Sequence, residues 1–388
     1  MTALSVYLDY AATTPVDDRV IEAMILCLGR QVDFGNPAST SHLYGQRARD
    51  LVEHSRRQVA QAIGVHAEQV IWTSGATESN NLAIKGIVQR GGHIVTSLIE
   101  HKAVIDTVRQ LESAGCPVTW LAPDRHGLIQ PEAVQAALRP DTSLVSLMWV
   151  NNELGTLTDI ASIGETVRAH GALLHVDAAQ AVGKFAIDLN GLAVDLMSMS
   201  AHKAYGPKGI GALYVGERAR PLLQAQIHGG GHEQGMRSGT LPTHQIVGMG
   251  SAFALAAQFM SSETLRIAGL AEQLAAGLLA LPGISLNGCA RQRIPHTLNV
   301  RIDRPGFDPA CLSGRLAVSS TSACNSASAS ASHVLMALGL EPEQARASVR
   351  LSIGRYTDES DIAAAVRIIA QALQPSPAFW QSGFTAPQ

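Results

Sequence analysis

The chain of 388 residues has no long run of like charge, no CxxC pair and no apolar stretch long enough to span a bilayer. Each absence removes a class of function. With 29 basic and 32 acidic residues and a formal net charge of -3, it carries no electrostatic footprint for nucleic acid or a membrane surface. Five cysteines, at 27, 116, 289, 311 and 324, are odd in number and unpaired in spacing. That argues against a disulfide framework or a structural zinc site and for reduced thiols. The opening "MTALSVYLDYAATTP" has no basic segment followed by an apolar core, so a cytoplasmic location is expected. Charge itself is scarce, at 16% against about a quarter in ordinary soluble proteins, while 46% of residues are hydrophobic. A large core and a buried subunit interface are expected, and the length favours two domains.

What is present is alternation. "QVIWTS", "HIVTSL", "PVTWLA", "SLVSLMWV", "ALLHVDAA", "VDLMSMSA" and "GALYVG" read as strands, and the longer amphipathic stretches that separate the early ones read as helices. Such a rhythm predicts an α/β unit with a mainly parallel sheet covered on both faces. A long helical stretch over 246–280 follows, then a different rhythm with strands at "ISLNG", "HTLNVRID", "LAVSS" and "SVRLSIGRY" and a final helix at "DESDIAAAVRIIAQALQ". The expected division is a large α/β domain over 15–258 and a smaller α+β domain over 259–388, completed by residues 1–14.

Ligands of parallel α/β sheets sit beyond the carboxyl ends of the strands, so the residues following each apolar run are inspected first. "IWTSGATESNN" places Gly75, Ala76 and Thr77 between a strand and a helix, where free N–H groups can hold a phosphate. From this stretch alone an ordinary capped helix start, with Ser74 or Thr77 as the cap, is the leading reading. "LLHVDAAQAVGK" leaves Asp177 at a strand end with Gln180 close behind, and "MSMSAHKAYG" presents Ser200, His202 and Lys203. A desolvated lysine there can act as a nucleophilic amine. His101 and Asn152 follow two further strands. An amine, an acid and a phosphate turn together are the parts of a pyridoxal 5'-phosphate site. By contrast "HGGGHEQ" spaces His228 and His232 as metal ligands on a helix would be, yet three glycines make a helix there improbable. Cys324, in "AVSSTSACNSASASASH", has almost nothing around it to pack against. From that segment alone it reads either as incidental or as a reactive thiol.

In order along the chain, "YLDYAATTPVD", "FGNPAS", "SGATESNNLAIKG", "EHKAV", "VNNELGTLTDI", "HVDAAQAVGK", "AHKAYGPKGIGALYV", "HGGGHEQGMRSGTLPTHQIVGMG", "AVSSTSACNSAS" and "SVRLSIGRY" resemble the cysteine desulfurases of the pyridoxal phosphate fold-type I, aspartate aminotransferase-like superfamily. The resemblance implies a seven-stranded, mainly parallel sheet and conversion of L-cysteine to L-alanine, with sulfur passed to Cys324 as a persulfide. Lys203 would carry the cofactor as a Schiff base and move the Cα proton. His101 would stack on the ring, Asp177 would protonate its nitrogen, Gln180 would bond its phenolic oxygen, and Asn152 would lie near the same edge. Ala76, Thr77, Ser200 and His202 would hold the phosphate, with Thr240 contributed by the other subunit of a homodimer. Arg350 would clamp the substrate carboxylate; a domain-bridging ion pair is its alternative. Cys324 would sit on a mobile loop of about 318–332 and serve an acceptor such as an iron–sulfur scaffold protein, or thio-modification.

Three departures accompany the match: Thr321 and Ala201 stand where the family commonly has glycine, and the tail after the last helix is short. A selenocysteine lyase or an aminotransferase would keep the cofactor and change the reaction. A non-enzymatic sulfur carrier would keep only the fold, against which the intact Lys203, Asp177 and His101 speak.

Overall fold

A computed structural model describes residues 5–88, 92–320 and 331–374; Cys324 and Thr321 lie outside them. After a two-residue strand, β1 (Val6–Tyr7), come helices α1 (Asp18–Ile25) and α2 (Leu43–Ala62). Then the alternation begins, with β2 (Val70–Thr73), α3 (Ala76–Ile87), β3 (His93–Ser97), α4 (Lys102–Ser113), β4 (Val118–Leu121) and α5 (Pro131–Ala137). It continues through β5 (Thr142–Met148), α6 (Ile160–His170), β6 (Leu173–Asp177), β7 (Leu196–Ser200) and β8 (Gly211–Val215). These strands form a seven-stranded sheet of order β2-β8-β7-β6-β5-β3-β4. The pairs from β4 through β7 are parallel, and only β8 runs against its neighbours.

The apolar runs are continuous because this sheet is covered on both faces. Ile71, Ile94, Leu144 and Leu213 enter one core, while their neighbours Trp72, Val95, Val145 and Ala212 enter the other. That is the period-two alternation of a strand with no wet side. The connection from β3 goes outward to β4, then back across to β5 on the other side of β3. Such a reversal opens a crevice beyond the strand ends, with His101 after β3 and Asn152 after β5.

Helix α7 (Thr243–Leu279) runs 37 residues and begins slightly ahead of the expected 246. It passes unbroken through the boundary expected at 258. Its Ile246, Met249 and Phe253 join the large-sheet core, and its Ile267, Leu270, Leu274 and Leu278 join a separate one. Around that second core lie β9 (Ile284–Leu286), β10 (Thr297–Ile302), β11 (Leu316–Ala317), β12 (Ser319–Ser320), β13 (Ser348–Ser352) and α10 (Glu359–Ala372), while α8 (His333–Ala337) and α9 (Pro342–Arg346) send Val334, Leu335 and Ala345 into the large-sheet core. "LAVSS" is not one strand as expected. It divides at Val318, because β11 pairs with β1 while β12 joins the antiparallel sheet β12-β13-β10-β9.

The glycine-rich loop confirms that His228 and His232 share no helix: Gly229, Gly230 and Gly231 all have positive φ. Among the described residues no cluster of side chains could hold a metal ion. Nor is any described helix long and apolar enough to cross a membrane. Cys311 lies exposed in a short 3-10 helix, Pro309–Leu312.

The same glycine-rich loop delivers Glu233 to the outer edge of β2. Trp72 N–H donates to Glu233 Oε2 at 2.7 Å, and Arg56 Nη1 donates to both Val70 O and Glu233 Oε2, each at 2.7 Å. A buried ion pair therefore stands in for the missing neighbour strand and blunts the edge. Removing one partner leaves the other charge buried and unpaired. Glu233→Ala is expected to destabilise the fold by roughly 3–5 kcal/mol, checked by denaturant unfolding beside Arg56→Met/Glu233→Leu, which removes both charges and should cost less.

Candidate active site

The site is assembled where the strands stop. β6 ends on Asp177, whose Oδ2 accepts from Asn80 Nδ2 at 2.8 Å and whose Oδ1 accepts from Ala179 N at 3.0 Å. Held by two donors, the carboxylate is fixed at the crevice. His101 is the N-cap of α4, and its Nδ1 accepts the Ala103 N–H at 3.1 Å. In the neutral ring this leaves the proton on Nε2. Loss of hydration pushes the His101 pKa down; Asp177 opposes this, while Lys203 and Arg350 assist it. Three of the expected site residues are thus within electrostatic reach of a fourth.

The phosphate turn differs from an ordinary capped helix. The N-cap of α3 is Gly75, at φ +152 with no side-chain cap bond, so neither Ser74 nor Thr77 closes it. The N–H groups at Ala76 and Thr77 thus stand without a side-chain cap from Gly75 at the positive end of a 12-residue helix. Gly211 makes room for this turn, since a Cβ there would lie 2.6 Å from Gly75 Cα. Gly211 pairs with Ser200 across the sheet, which brings Ser200 beside the same turn. His202 shares a 3.1 Å hydrogen bond between its Nδ1 and Thr13 Oγ1. Its pKa is lowered to about 4 by burial, then by Lys203 and Lys208, so the ring is neutral at pH 7.

Lys203 follows β7 in a short turn, and its Nζ donates to Ala11 O at 2.5 Å and Ala12 O at 2.7 Å. Gln180 Nε2 donates to the same Ala11 carbonyl at 2.8 Å. The first residues of the chain thus lie against the centre of the crevice. Arg350, on β13, donates from Nη1 to Asn152 O at 3.0 Å and from Nη2 to Asp9 Oδ1 at 2.8 Å. Its Nε and Asn152 Oδ1 are buried with no partner among the described residues. Unpaired buried polar atoms on two facing elements are what a polar ligand would satisfy. Thr240 is exposed on the loop before α7.

Several members of this constellation were not singled out from the sequence. Asn80, Asp9, Glu100 and Glu153 all lie in stretches noted for other residues, "SGATESNN", "YLDYAA", "EHKAV" and "VNNELG". Burial raises Glu100 to about 8 and Glu153 to about 7. Ser97 Oγ donates to Glu100, and Ser332 Oγ donates to Glu153, each at 2.5 Å. Only the fold desolvates them.

The profile of the class V aminotransferases matches residues 6–364. This chain belongs to that family. The cysteine desulfurase IscS of Azotobacter vinelandii is 55% identical over 375 residues, covering 95% of this chain and 93% of that one. The cysteine desulfurase IscS of Pseudomonas putida W619 is 54% identical over the same shares. A solved NifS-like protein superposes with a TM-score of 0.87 at 34% identity, over 95% of this chain and 99% of the other. A structure described as "SspA in complex with cysteine" gives 0.82 at 38% identity, over 91% and 100%. The family is one of pyridoxal phosphate enzymes of fold type I, and the open cradle at Gly75, the anchored Asp177 and the amine of Lys203 fit that cofactor.

The buried acids give this class V aminotransferase a pH signature. Glu100 titrates near 4.5 when unfolded and about 8 when folded, so its neutral form contributes stability fully below pH 4.5 and loses it as pH rises to 8. Glu100→Gln should therefore gain stability relative to the parent from about pH 5 to about pH 8. Thermal unfolding of both proteins across that range is the check.

Proposed function

We propose that this chain is a cysteine desulfurase in which Lys203, His101 and Cys324 carry the chemistry. The observation that supports it most directly is the meeting of Lys203 and Gln180 on one carbonyl, Ala11 O, two residues from the Asp9 that pairs with Arg350. In this reading Ala76, Thr77, Ser200 and His202 hold the phosphate. Asp177 keeps the ring nitrogen protonated, His101 stacks on the ring, and Gln180 donates to its phenolic oxygen. Bound pyridoxal phosphate supplies a sink for the electron pair left on the substrate Cα.

The remaining steps belong to the chain itself. Arg350, with Nε unspent and Asn152 beside it, orients the substrate carboxylate. The Asp9 contact, expected as the alternative role of Arg350, is compatible with this because it uses a single nitrogen. The freed Lys203 amine moves the Cα proton, its ammonium form resting on the Ala11 and Ala12 carbonyls. The Cys324 thiolate attacks the substrate sulfur, an S–S bond forms as the C–S bond breaks, and the departing carbon takes a proton to give alanine. Cys324 then hands its outer sulfur to an acceptor, of which an iron–sulfur scaffold protein is the natural class.

The two cores strung on α7 support a large unit over 15–258 and a small unit over 259–388 and 1–14, with Ile294, Val334, Leu335 and Ala345 of the small unit packing into the large core. A homodimer completes the site in this reading, with Thr240 reaching the partner's phosphate. Ile25, Leu26, Leu28, Phe34, Leu43 and Tyr44 are each more than half exposed, and all lie in one stretch of chain from the end of α1 to the start of α2. So much exposed apolar surface marks an interface. Reduced thiols and an aqueous, cytoplasmic setting suit the chemistry.

Two experiments test the reading. After exposure to L-cysteine without reductant, mass spectrometry should find one added sulfur on the Cys324 peptide, absent in Cys324→Ser; unmodified peptide in the loaded parent protein would refute the role of Cys324. Sedimentation should show a dimer that Ile25→Glu/Leu28→Glu dissociates, with loss of cofactor occupancy; a monomeric parent holding its full cofactor would sink the shared site.

A further inference from the structure

Lys184 is a second lysine at the heart of the site, and the reaction sketched above gives it no task. It follows the turn after β6 and lines a small cavity together with Lys203, Glu263 and His296. Its Nζ donates to Gln180 Oε1 at 2.5 Å. On the other side of the same amide, Gln180 Nε2 donates to Ala11 O at 2.8 Å.

The two neighbours dictate which way the amide lies. A protonated lysine side chain offers only donors, and a backbone carbonyl offers only an acceptor. Turning the amide over would set Nε2 against the amine and Oε1 against the carbonyl oxygen, losing both hydrogen bonds and replacing them with like-against-like contacts. The observed orientation is therefore the one both neighbours permit. It also presents the Nε2 end, whose second hydrogen is not needed by Ala11, as the donor end of the residue.

We propose that Lys184 is a positioning residue that locks the Gln180 amide with its donor end toward the phenolic oxygen of the cofactor. This rests on the site assignment proposed above for Gln180. The surroundings of Lys184 make the lock consequential, because Lys203 and Arg350 act on it electrostatically and Lys203, Glu263 and His296 share its cavity. Burial, reinforced by Lys203 and Arg350, draws the Lys184 pKa down to about 7, so the amine is donor-only below that value and carries a lone pair above it, while the Ala11 carbonyl accepts at every pH.

Gln180 donation and a nearby cation both stabilise negative charge on the phenolic oxygen, and so lower the pH at which the bound cofactor's visible absorption changes. Removing Lys184 weakens both. In Lys184→Met the midpoint of that spectral titration should move up by about one unit, while Lys184→Arg, still donor-only, should stay near the parent. In a crystal structure of Lys184→Met the Gln180 amide, now held only at Ala11 O, should be less well ordered than in the parent. Should Lys184→Met fail to fold, Lys184→Gln is read the same way, since an amide at 184 presents either a donor or an acceptor and no longer dictates the orientation. An unchanged midpoint in whichever variant folds and loads overturns the proposal. A parent protein with no visible cofactor band after loading would instead strike the assignment of the site itself.

Discussion

The carbonyl oxygen of Ala11 accepts from both Lys203 and Gln180, and the arrangement of the site depends on that shared acceptor. Ala11 can stand there because the chain just before it is tied elsewhere. Val6 and Tyr7 pair with β11, and Leu8 packs into the second core, before residues 9–14 cross to the large sheet. The N-terminal segment is thus a strap joining the small antiparallel sheet to the crevice. A shift at either end would move the resting place of the amine and the orientation of the amide together.

The crossing also explains how the charged groups are tolerated. Arg350 is almost fully buried, and it is paired with Asp9 from the strap and with the Asn152 carbonyl from the end of β5. Buried charge without such partners would be costly. Each pairing leaves something over: Arg350 keeps Nε, Asn152 keeps Oδ1, and α3 keeps its uncapped N–H groups. Unspent polar groups of this kind are what a polar ligand would satisfy.

Much of this was legible in the residues. The runs at "QVIWTS" and "GALYVG" gave the sheet because their alternate side chains enter two cores, and the rule that ligands gather at strand ends drew attention to Asp177, Ser200, His202 and Lys203. Other features were hidden for a physical reason. "LAVSS" reads as one strand because nothing local signals that Val318 lies between two different pairing partners. Glu100 and Glu153 look like solvated acids in the sequence, since desolvation is a property of what surrounds a residue and not of its neighbours in the chain. Lys184 looks like a helix-end or surface lysine until the amide of Gln180 is found against it.

The sequence by itself determined the periodicities, the apolar runs that must be covered on both faces, and the chemistry-bearing residue types after each strand. It also carried the ordered motifs by which membership of the family is read. The tertiary structure decided which of those groups meet, as when Asp9 and Arg350, 341 residues apart, become a buried pair. It decided as well which groups lose water, and so which of them are neutral at working pH. Periodicity is local and survives in one dimension, whereas partnership and desolvation are set by three-dimensional neighbours.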